Sequence, residues 1–475
     1  MTTWIAPTTG GTVLAREAPD GTFLVDRPDT GRFRTAEAVA VTDGVPHVDG
    51  TALRPVAVLP PGLASMTGWY EGGGRTILLT QFPESYFGEP MILLGEGLIV
   101  RRAYPLSASD LITEDGRAVT LTAEGLTVPD GDGAATLRRT PRLREQQVTF
   151  STGDVTLAGT VIVPDGAGPH PAAVVVHGAA GGQRDFYRLL VSPLLDAGVA
   201  VLIYDKAGHG DSEGTPPSIF DQADAAQAAL DLLATLPGID AGRRGLAGFS
   251  NGMWSVPMVA ARYPEVAFIA GIGAPGVSMG ESEVHRRTKV LRDAGVGPQT
   301  VAAVGDAWRC IFTIVGAGTA DDDVTARLAA SLKTIEAADD TDRYQVPDYV
   351  RENPMLSPFP PPLPMAELVA MLVAENDPEV GYDPAADYAR IRCPILLQYG
   401  GRDTSVPVQA STDQVRSAAP HATIQVYPAL EHMLNEVPTD VTGLDPEAVM
   451  YGFHRFRFGP TVGSDLTTWL RTTVF

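Results

Sequence analysis

Three stretches of the chain, "GDSEG" (210–214), "GFSNG" (248–252) and "GVSMG" (276–280), share the spacing Gly-x-Ser-x-Gly. That spacing marks a serine held on a sharp turn, where its hydroxyl can attack an acyl carbon. With 50 glycines in 475 residues, chance matches are expected, so the flanking residues must select among the three. Ser212 follows the loop "KAGHG" and precedes "TPPS", so no strand feeds it and no helix receives it. Ser278 is separated by "APG" from the apolar run "VAFIAGIG" (266–273), which puts it in a connecting loop. Ser250 alone joins strand, serine and helix directly, in "RRGLAGFSNGMWSVPMVAARYP". Gly248 and Gly252 then have a physical reason, because side chains two residues either side would collide with the neighbouring strand and helix.

A serine hydroxyl is a poor nucleophile at neutral pH and needs a base to take its proton. The strand-serine-helix turn resembles that of α/β-hydrolases, and this resemblance implies that an acid and then a histidine follow the serine along the chain. His285, His421, His432 and His454 follow Ser250. His285 lies within an insertion, and His421 precedes a strand at the end away from the chemistry. His432, in "YPALEHMLNE", follows the strand at 422–428 after a short loop, at the carboxyl edge where ligands bind in open sheets. His454 is the fallback. Asp403, in "LLQYGGRDTSVP", stands just beyond a core strand at the same edge, where it would fix the imidazole tautomer and stabilise the imidazolium. It could equally cap a helix opening near Pro407, and both roles fit locally. Asp377 and Asp383 are weaker candidates, since nothing places them at a strand end. The developing oxyanion needs N–H donors: Asn251, directly after the serine, and one from the loop "HGAAGG" (177–182), with Ala179 preferred to Ala180. His177 is read as bracing that loop.

The elements that must position these residues lie after residue 140. "AAVVVHG" (172–178), "VAVLIYD" (199–205), "RRGLAGFS" (243–250), "VAFIAGIG", "CPILLQYGGRD" (393–403) and "ATIQVYP" (422–428) are short apolar runs alternating with helical patterns. Strands buried on both faces between helices describe a parallel α/β sheet. Residues 277–390 interrupt the alternation with helical segments, an acidic "ADDD" (320–323) and a stiff "PFPPPLPM" (358–365), and are read as an inserted helical cap. Residues 1–140 are β-rich, with Asp-Gly pairs at 20–21, 43–44, 49–50, 115–116 and 130–131 that favour tight hairpins. A small antiparallel sandwich or open barrel is expected there, with the Gly-, Pro- and charge-rich stretch 128–145 as the boundary. The expected division is 1–140, a β-rich accessory domain; 141–276 and 391–475, the two parts of an α/β core; and 277–390, the cap.

Composition narrows the partners. A hydrophobic content of 44% suits a globular core, and a net charge of −22 disfavours nucleic acid and anionic membranes, which would repel it. Cys310 and Cys393 are the only cysteines, which suits two reduced thiols better than a disulfide framework, and no zinc spacing is present. The opening "MTTWIAPTTGGTVLAREAPDG" lacks a basic segment followed by an apolar run, and no apolar stretch approaching the roughly 20 residues of a membrane span is visible. A cytoplasmic protein is the expectation.

Together these residues resemble the α/β-hydrolase superfamily, in particular its serine-aminopeptidase-like and acyl-thioesterase-like branch. The likeness rests on "GPHPAAVVVHGAAGG", "YDKAGHGDSEG", "GLAGFSNGMWSVPMVAA", "APGVS" and "CPILLQYGGRDTSVP", and spans residues 145–435. It implies an α/β-hydrolase fold with an accessory N-terminal domain. It also makes "YDKAGHGDSEG" a structural turn and "APGVS" the exit from a core strand. The chain departs from the branch at Met253, where glycine is frequent, and at Ala207, where arginine is; Met253 is expected to narrow the floor of the site. The activity expected is hydrolysis of a carboxylic ester through an acyl-enzyme on Ser250. A peptidase, a thioesterase, an acyltransferase and a non-catalytic receptor are the alternatives. The expected partner is a small acyl substrate, with no metal or organic cofactor. The N-terminal domain is left with two roles, shielding the site or self-association as a homodimer.

Overall fold

The computed structural model describes residues 3–8, 11–17, 21–27, 32–57, 62–82, 91–131, 133–140, 144–179, 182–338, 357–436 and 458–475. The largest sheet has eight strands: β1 (Arg144–Thr152), β2 (Val155–Val163), β3 (His170–Val176), β4 (Ala200–Tyr204), β5 (Ile239–Phe249), β6 (Val266–Ile272), β7 (Ile395–Gly400) and β8 (Thr423–Tyr427). Their spatial order is β1-β2-β4-β3-β5-β6-β7-β8. β1 and β2 pair antiparallel, β2 meets β4 antiparallel, and the strands from β4 to β8 run parallel. The apolar runs in the sequence become strands because helices cover both faces. Ala172, Ala173, Val174, Val175 and Val176 of β3 are all 0% exposed, and a fully buried valine contributes about 1.5–3 kcal/mol.

The chain leaves β3 towards β4 and then crosses back to β5 on the other side, so the order reverses at β3. The loops after β3 and β5 therefore open side by side, in the crevice where open α/β sheets bind ligands. Val176 pairs with Gly248 at the end of this register, which brings the "HGAAGG" loop beside Ser250.

The N-terminal part differs from the sandwich or open barrel expected. Residues Gly68–Gly72, Arg75–Phe82, Met91–Glu96, Ile99–Pro105, Asp110–Thr113, Ala118–Thr122, Gly125–Asp130 and Gly133–Arg139 form a closed antiparallel barrel. Arg138 pairs with Glu71 and Arg139 with Tyr70, which removes the free edges that an open sheet would leave. Before the barrel lie a five-stranded sheet and a three-stranded one. Asp43-Gly44 and Asp49-Gly50 turn the latter's hairpins with φ 52°, 79°, 50° and 76°, the positive angles such pairs favour. The stretch 128–145, expected as the boundary, is largely strand: the last barrel hairpin runs through Arg139 and β1 begins at Arg144, so the change from barrel to large sheet falls within it.

Side-chain alternation lets the barrel serve two cores. Leu79, Ile92, Leu94, Leu126 and Leu137 fill its interior. Leu78, Leu93 and Val100 point outwards and join Phe186, Leu189 and Leu190 in a core shared with the large sheet.

Between β6 and β7 the chain forms the helices Met279–Asp293, Pro298–Ala317, Asp322–Glu336 and Met365–Glu375. They pack around a core of their own that includes Leu291, Val304, Ile311, Ile314, Leu328 and Leu368. Asp321 caps the third of them by accepting the Val324 N–H at 2.8 Å. The helix Pro298–Ala317 corrects the expectation of no membrane-length stretch: its 20 residues are long and apolar enough to cross a bilayer. Here 56% of its most apolar window is buried, against that core. Asp306 and Arg309 had masked its length in the sequence.

Candidate active site

The ends of β3, β5, β6, β7 and β8 converge at the carboxyl edge of the large sheet. Ser250 follows β5 directly and takes φ 48°, a left-handed conformation that costs a residue with a side chain roughly 1–2 kcal/mol. Its N–H donates to Ile272 O at the end of β6 (2.9 Å), and its carbonyl accepts the Met253 N–H (2.8 Å), which fixes the turn between strand and helix. The helix Gly252–Arg262 follows, tied back by Trp254 Nε1 donating to Val277 O at 2.9 Å.

The glycines of the turn are required by close approach. A Cβ at Gly252 would lie 2.6 Å from both Val176 O and His177 O, backbone atoms that cannot yield. A Cβ at Gly248 would run into Met253 Sδ and Val256 Cγ2, which are side chains. Met253 therefore does not narrow the floor of the site as expected. It is 0% exposed and fills the space beneath the turn, against Gly248 and Gly271.

The serine, histidine and aspartate singled out in the sequence are brought together. His432 Nε2 lies 2.7 Å from Ser250 Oγ, and His432 Nδ1 lies 2.8 Å from Asp403 Oδ2. The imidazole side chain is 17% exposed and the Asp403 side chain 0%, so the ring keeps an open edge while the carboxylate is shielded from water. The two local roles open to Asp403 turn out to be compatible. Oδ1 accepts the N–H groups of Ser405 and Val406, each at 2.8 Å, while Oδ2 faces the imidazole. The helix beyond, Val408–Ala418, has Pro407 at its cap position. Burial alone would push the His432 imidazole down, but the Asp403 carboxylate, helped by Glu431, outweighs it and holds the ring above the ordinary histidine value. Gly273 packs on the ring: a Cβ there would approach His432 Cε1 to 2.8 Å.

The other candidates sit elsewhere. His421 is exposed, with Nε2 3.2 Å from Cys393 O, at the opposite end of the sheet. His285, on the helix Met279–Asp293, is half-buried within electrostatic reach of Asp403. Asp377 accepts the Glu379 N–H and Asp383 the Ala385 N–H, both as local turn caps. His454 and Ala180 lie outside the described residues. The two rejected serines have structural employment. Ser212 donates to Asp205 O (2.7 Å) and accepts the Ala158 N–H (2.9 Å), clipping its turn to β2. Ser278 caps the helix Met279–Asp293 by accepting the Glu281 N–H at 3.2 Å.

The first two residues of the loop after β3, His177 and Gly178, are held by several side chains. His177 is fully buried, its Nε2 2.5 Å from Tyr204 O, and burial together with the nearby Lys206 ammonium pushes its pKa down to about 3, so it stays neutral. Gln222 Nε2 donates to His177 O at 2.6 Å. The Gly178 N–H donates to the Tyr187 hydroxyl at 2.7 Å, and Lys206 Nζ donates to Gly178 O at 2.6 Å. Gly178 abuts the serine, since a Cβ on it would lie 3.5 Å from Ser250 Cβ. Asn251 occupies the N-terminus of the helix Gly252–Arg262, where backbone N–H groups lack intrahelical acceptors. Tyr187, Lys206 and Gln222 were not singled out in the sequence. Their side chains hold backbone atoms, and such bonds leave no residue pattern to read.

Among the described residues no group of three or more His, Cys, Asp or Glu is placed to hold a metal ion. Cavities of about 440 Å³ by Arg292 and Arg309 in the helical insert, and about 510 Å³ between the barrel and the sheet near Trp69 and Arg184, lie away from Ser250.

Comparison with known proteins follows the geometry. The profile of the alpha/beta hydrolase family matches residues 173–443. No match is found among curated protein sequences. Among solved structures, an esterase from Pyrococcus furiosus is similar at 16% identity and TM-score 0.40, over 70% of this chain and 92% of that one. The alpha/beta hydrolase GrgF from a Penicillium species is similar at 16% identity and TM-score 0.39, over 70% and 100%. A dienelactone hydrolase from Anabaena variabilis is similar at 14% identity and TM-score 0.36, over 70% and 100%. The match to the family profile spans more than half of the chain and takes in the sheet from β3 through β8, and the chain belongs to the alpha/beta hydrolase family.

Proposed function

We propose that the protein is a serine-dependent hydrolase that cleaves a carboxylic ester through an acyl-enzyme. The observation that carries this reading is the unbroken chain from Ser250 Oγ to His432 Nε2 (2.7 Å) and from His432 Nδ1 to Asp403 Oδ2 (2.8 Å). In that arrangement Nδ1–H donates to the carboxylate, which leaves Nε2 with a lone pair facing the hydroxyl.

The steps balance on these groups. Ser250 Oγ bonds to the acyl carbon as its proton passes to His432 Nε2, and the carbonyl electrons move onto oxygen. The N–H groups of Ala179 and Asn251 hold that oxyanion, and Asp403 stabilises the imidazolium. The bond to the leaving alcohol then breaks, and the imidazolium returns its proton to the departing oxygen. Water enters, gives a proton to Nε2 and attacks the acyl carbon. Ser250 leaves with that proton, and a carboxylic acid is released. The scheme requires no metal or organic cofactor, and its partner is a small acyl substrate.

The helical insert is the element that sets acyl and alcohol size. The position of its first helix supports this, with His285 within reach of Asp403 and Lys289 within reach of Glu431.

The test is turnover of three substrate panels: p-nitrophenyl esters of increasing acyl length, aminoacyl anilides and acyl thioesters. Ester hydrolysis with a chain-length optimum is expected. Turnover of the anilides alone would make the protein a peptidase. Thioester turnover without esters would make it a thioesterase. Product appearing only when an acceptor alcohol is added would make it an acyltransferase.

A further inference from the structure

Lys206 is one of three lysines in the chain, with Lys289 and Lys333, and it is 7% exposed. Among the described residues no carboxylate lies within ion-pair distance of its Nζ. The neighbouring Asp205 is committed elsewhere: its carboxylate pairs with Arg184 Nη1, and accepts the Arg184 N–H at 2.6 Å and the Asp211 N–H at 2.9 Å. Burying an ammonium without a counter-ion is costly, and burial pushes its pKa down only to about 8, so the group remains mostly charged at neutral pH. The acceptor it meets is Gly178 O, at 2.6 Å. The backbone N–H of the same residue donates to Gly182 O at 2.7 Å. One residue thus grips both ends of the loop that borders Ser250.

We propose that Lys206 is a positioning residue for the oxyanion hole, aiming and polarising the Ala179 N–H by holding the carbonyl of the Gly178–Ala179 peptide. The peptide unit is planar, with its C=O and N–H pointing in opposite directions. An ammonium fixed on the Gly178 oxygen therefore sets the direction of the Ala179 N–H. It also draws electron density towards the oxygen, which leaves that N–H a stronger donor to an anion. The Gly178 N–H is spent on the Tyr187 hydroxyl, so Ala179 supplies the N–H at this end of the loop. Gln222, holding His177 O, fixes the preceding peptide in the same manner. Lys206 touches no substrate atom in this scheme; it acts through the peptide. The assignment rests on the serine-hydrolase reading of Ser250.

The test compares wild-type protein with Lys206→Met and Lys206→Arg, using p-nitrophenyl butyrate turnover and inhibition by an alkyl trifluoromethyl ketone, which forms a tetrahedral adduct with the serine. In Lys206→Met, kcat is expected to fall about 10–100-fold with KM changed less than about threefold, on the scale of losing part of one oxyanion donor. Inhibitor affinity should fall by the same factor as kcat/KM, because both report binding of the tetrahedral oxyanion. Lys206→Arg, which keeps a cation, should recover most of the loss. If Lys206→Met does not accumulate as folded protein, the neutral Lys206→Gln carries the same expectation. A folded neutral variant with wild-type kcat, or one whose inhibitor affinity is unchanged while kcat falls, overturns this assignment alone. A wild-type chain inert towards both ester and ketone overturns the serine reading and this assignment with it.

Discussion

Ser250 and Ser212 occupy the same five-residue pattern, yet the left-handed angles fall on different residues in the two turns, and only at Ser250 do they strain a residue with a side chain. At 248–252 the serine itself takes the left-handed angle, φ 48°, and its two flanking glycines do not. They serve by lacking a Cβ where β3 and the following helix press close. At 210–214 the glycines carry the positive angles, φ 52° and 87°, and the serine is relaxed. Its hydroxyl is consumed by two backbone groups, Asp205 O and Ala158 N–H. Ser278 offers a third solution, with φ −62° and its oxygen capping a helix. Glycine spacing alone therefore does not make a nucleophile. On the proposed reading, a serine becomes one when the left-handed angle sits on it and its hydroxyl faces an imidazole rather than a main-chain partner.

The contrast predicts opposite phenotypes for the same substitution. Ser250→Ala should lower ester turnover by about 10⁴-fold or more with the fold intact, whereas Ser212→Ala should leave kcat within about threefold; steady-state kinetics on both variants decides. Asp403→Asn comes next, with an expected loss of about 10⁴-fold from the wrong imidazole tautomer. Its pH profile sharpens the point. The base must be neutral to act, and Asp403 and Glu431 hold the imidazole above its ordinary value. Wild-type kcat/KM should therefore decline as pH drops through a midpoint above 6.5, the ordinary histidine value. In Asp403→Asn that midpoint should move down.

Smaller effects test the glycines and the structural serines. Gly252→Ala meets backbone, and overpacking of this kind costs about 1–3 kcal/mol. Gly248→Ala meets side chains of Met253 and Val256 that can shift, and should cost less; thermal melts of the pair check the order. Ser212→Ala should cost about 1–3 kcal/mol by stranding the Ala158 N–H and Asp205 O. Ser278→Ala should cost about 1 kcal/mol for the lost cap.

The residues of the candidate site were legible because each announces itself locally. Of the three serines in the pattern, Ser250 alone has a strand directly before it and a helix directly after, and Asp403 and His432 each follow a short apolar run. Asp403 could be read locally as either cap or acid, and only the fold showed that its two oxygens divide the roles. Barrel closure could not be read. The pairing of Arg138 and Arg139 with Glu71 and Tyr70 joins residues some 70 apart, and nothing in the alternation of either strand names its partner. Lys206 was equally silent, because its acceptors are carbonyl oxygens of the Gly178 and Gly182 peptides and any residue can supply those. Met253 was misread for a related reason. A residue type shows that a volume must be filled, and only the packing shows on which side of the turn that volume lies.

The central claim is that Ser250, and neither of the other two serines in its pattern, is the activated hydroxyl. Treating the folded chain with a fluorophosphonate and locating the adduct by peptide mass spectrometry tests this most directly. One adduct per chain is predicted, on the peptide containing Ser250, absent from Ser250→Ala and retained in Ser212→Ala and Ser278→Ala. A folded wild-type protein that takes no label, or takes it at Ser212 or Ser278, would contradict the account.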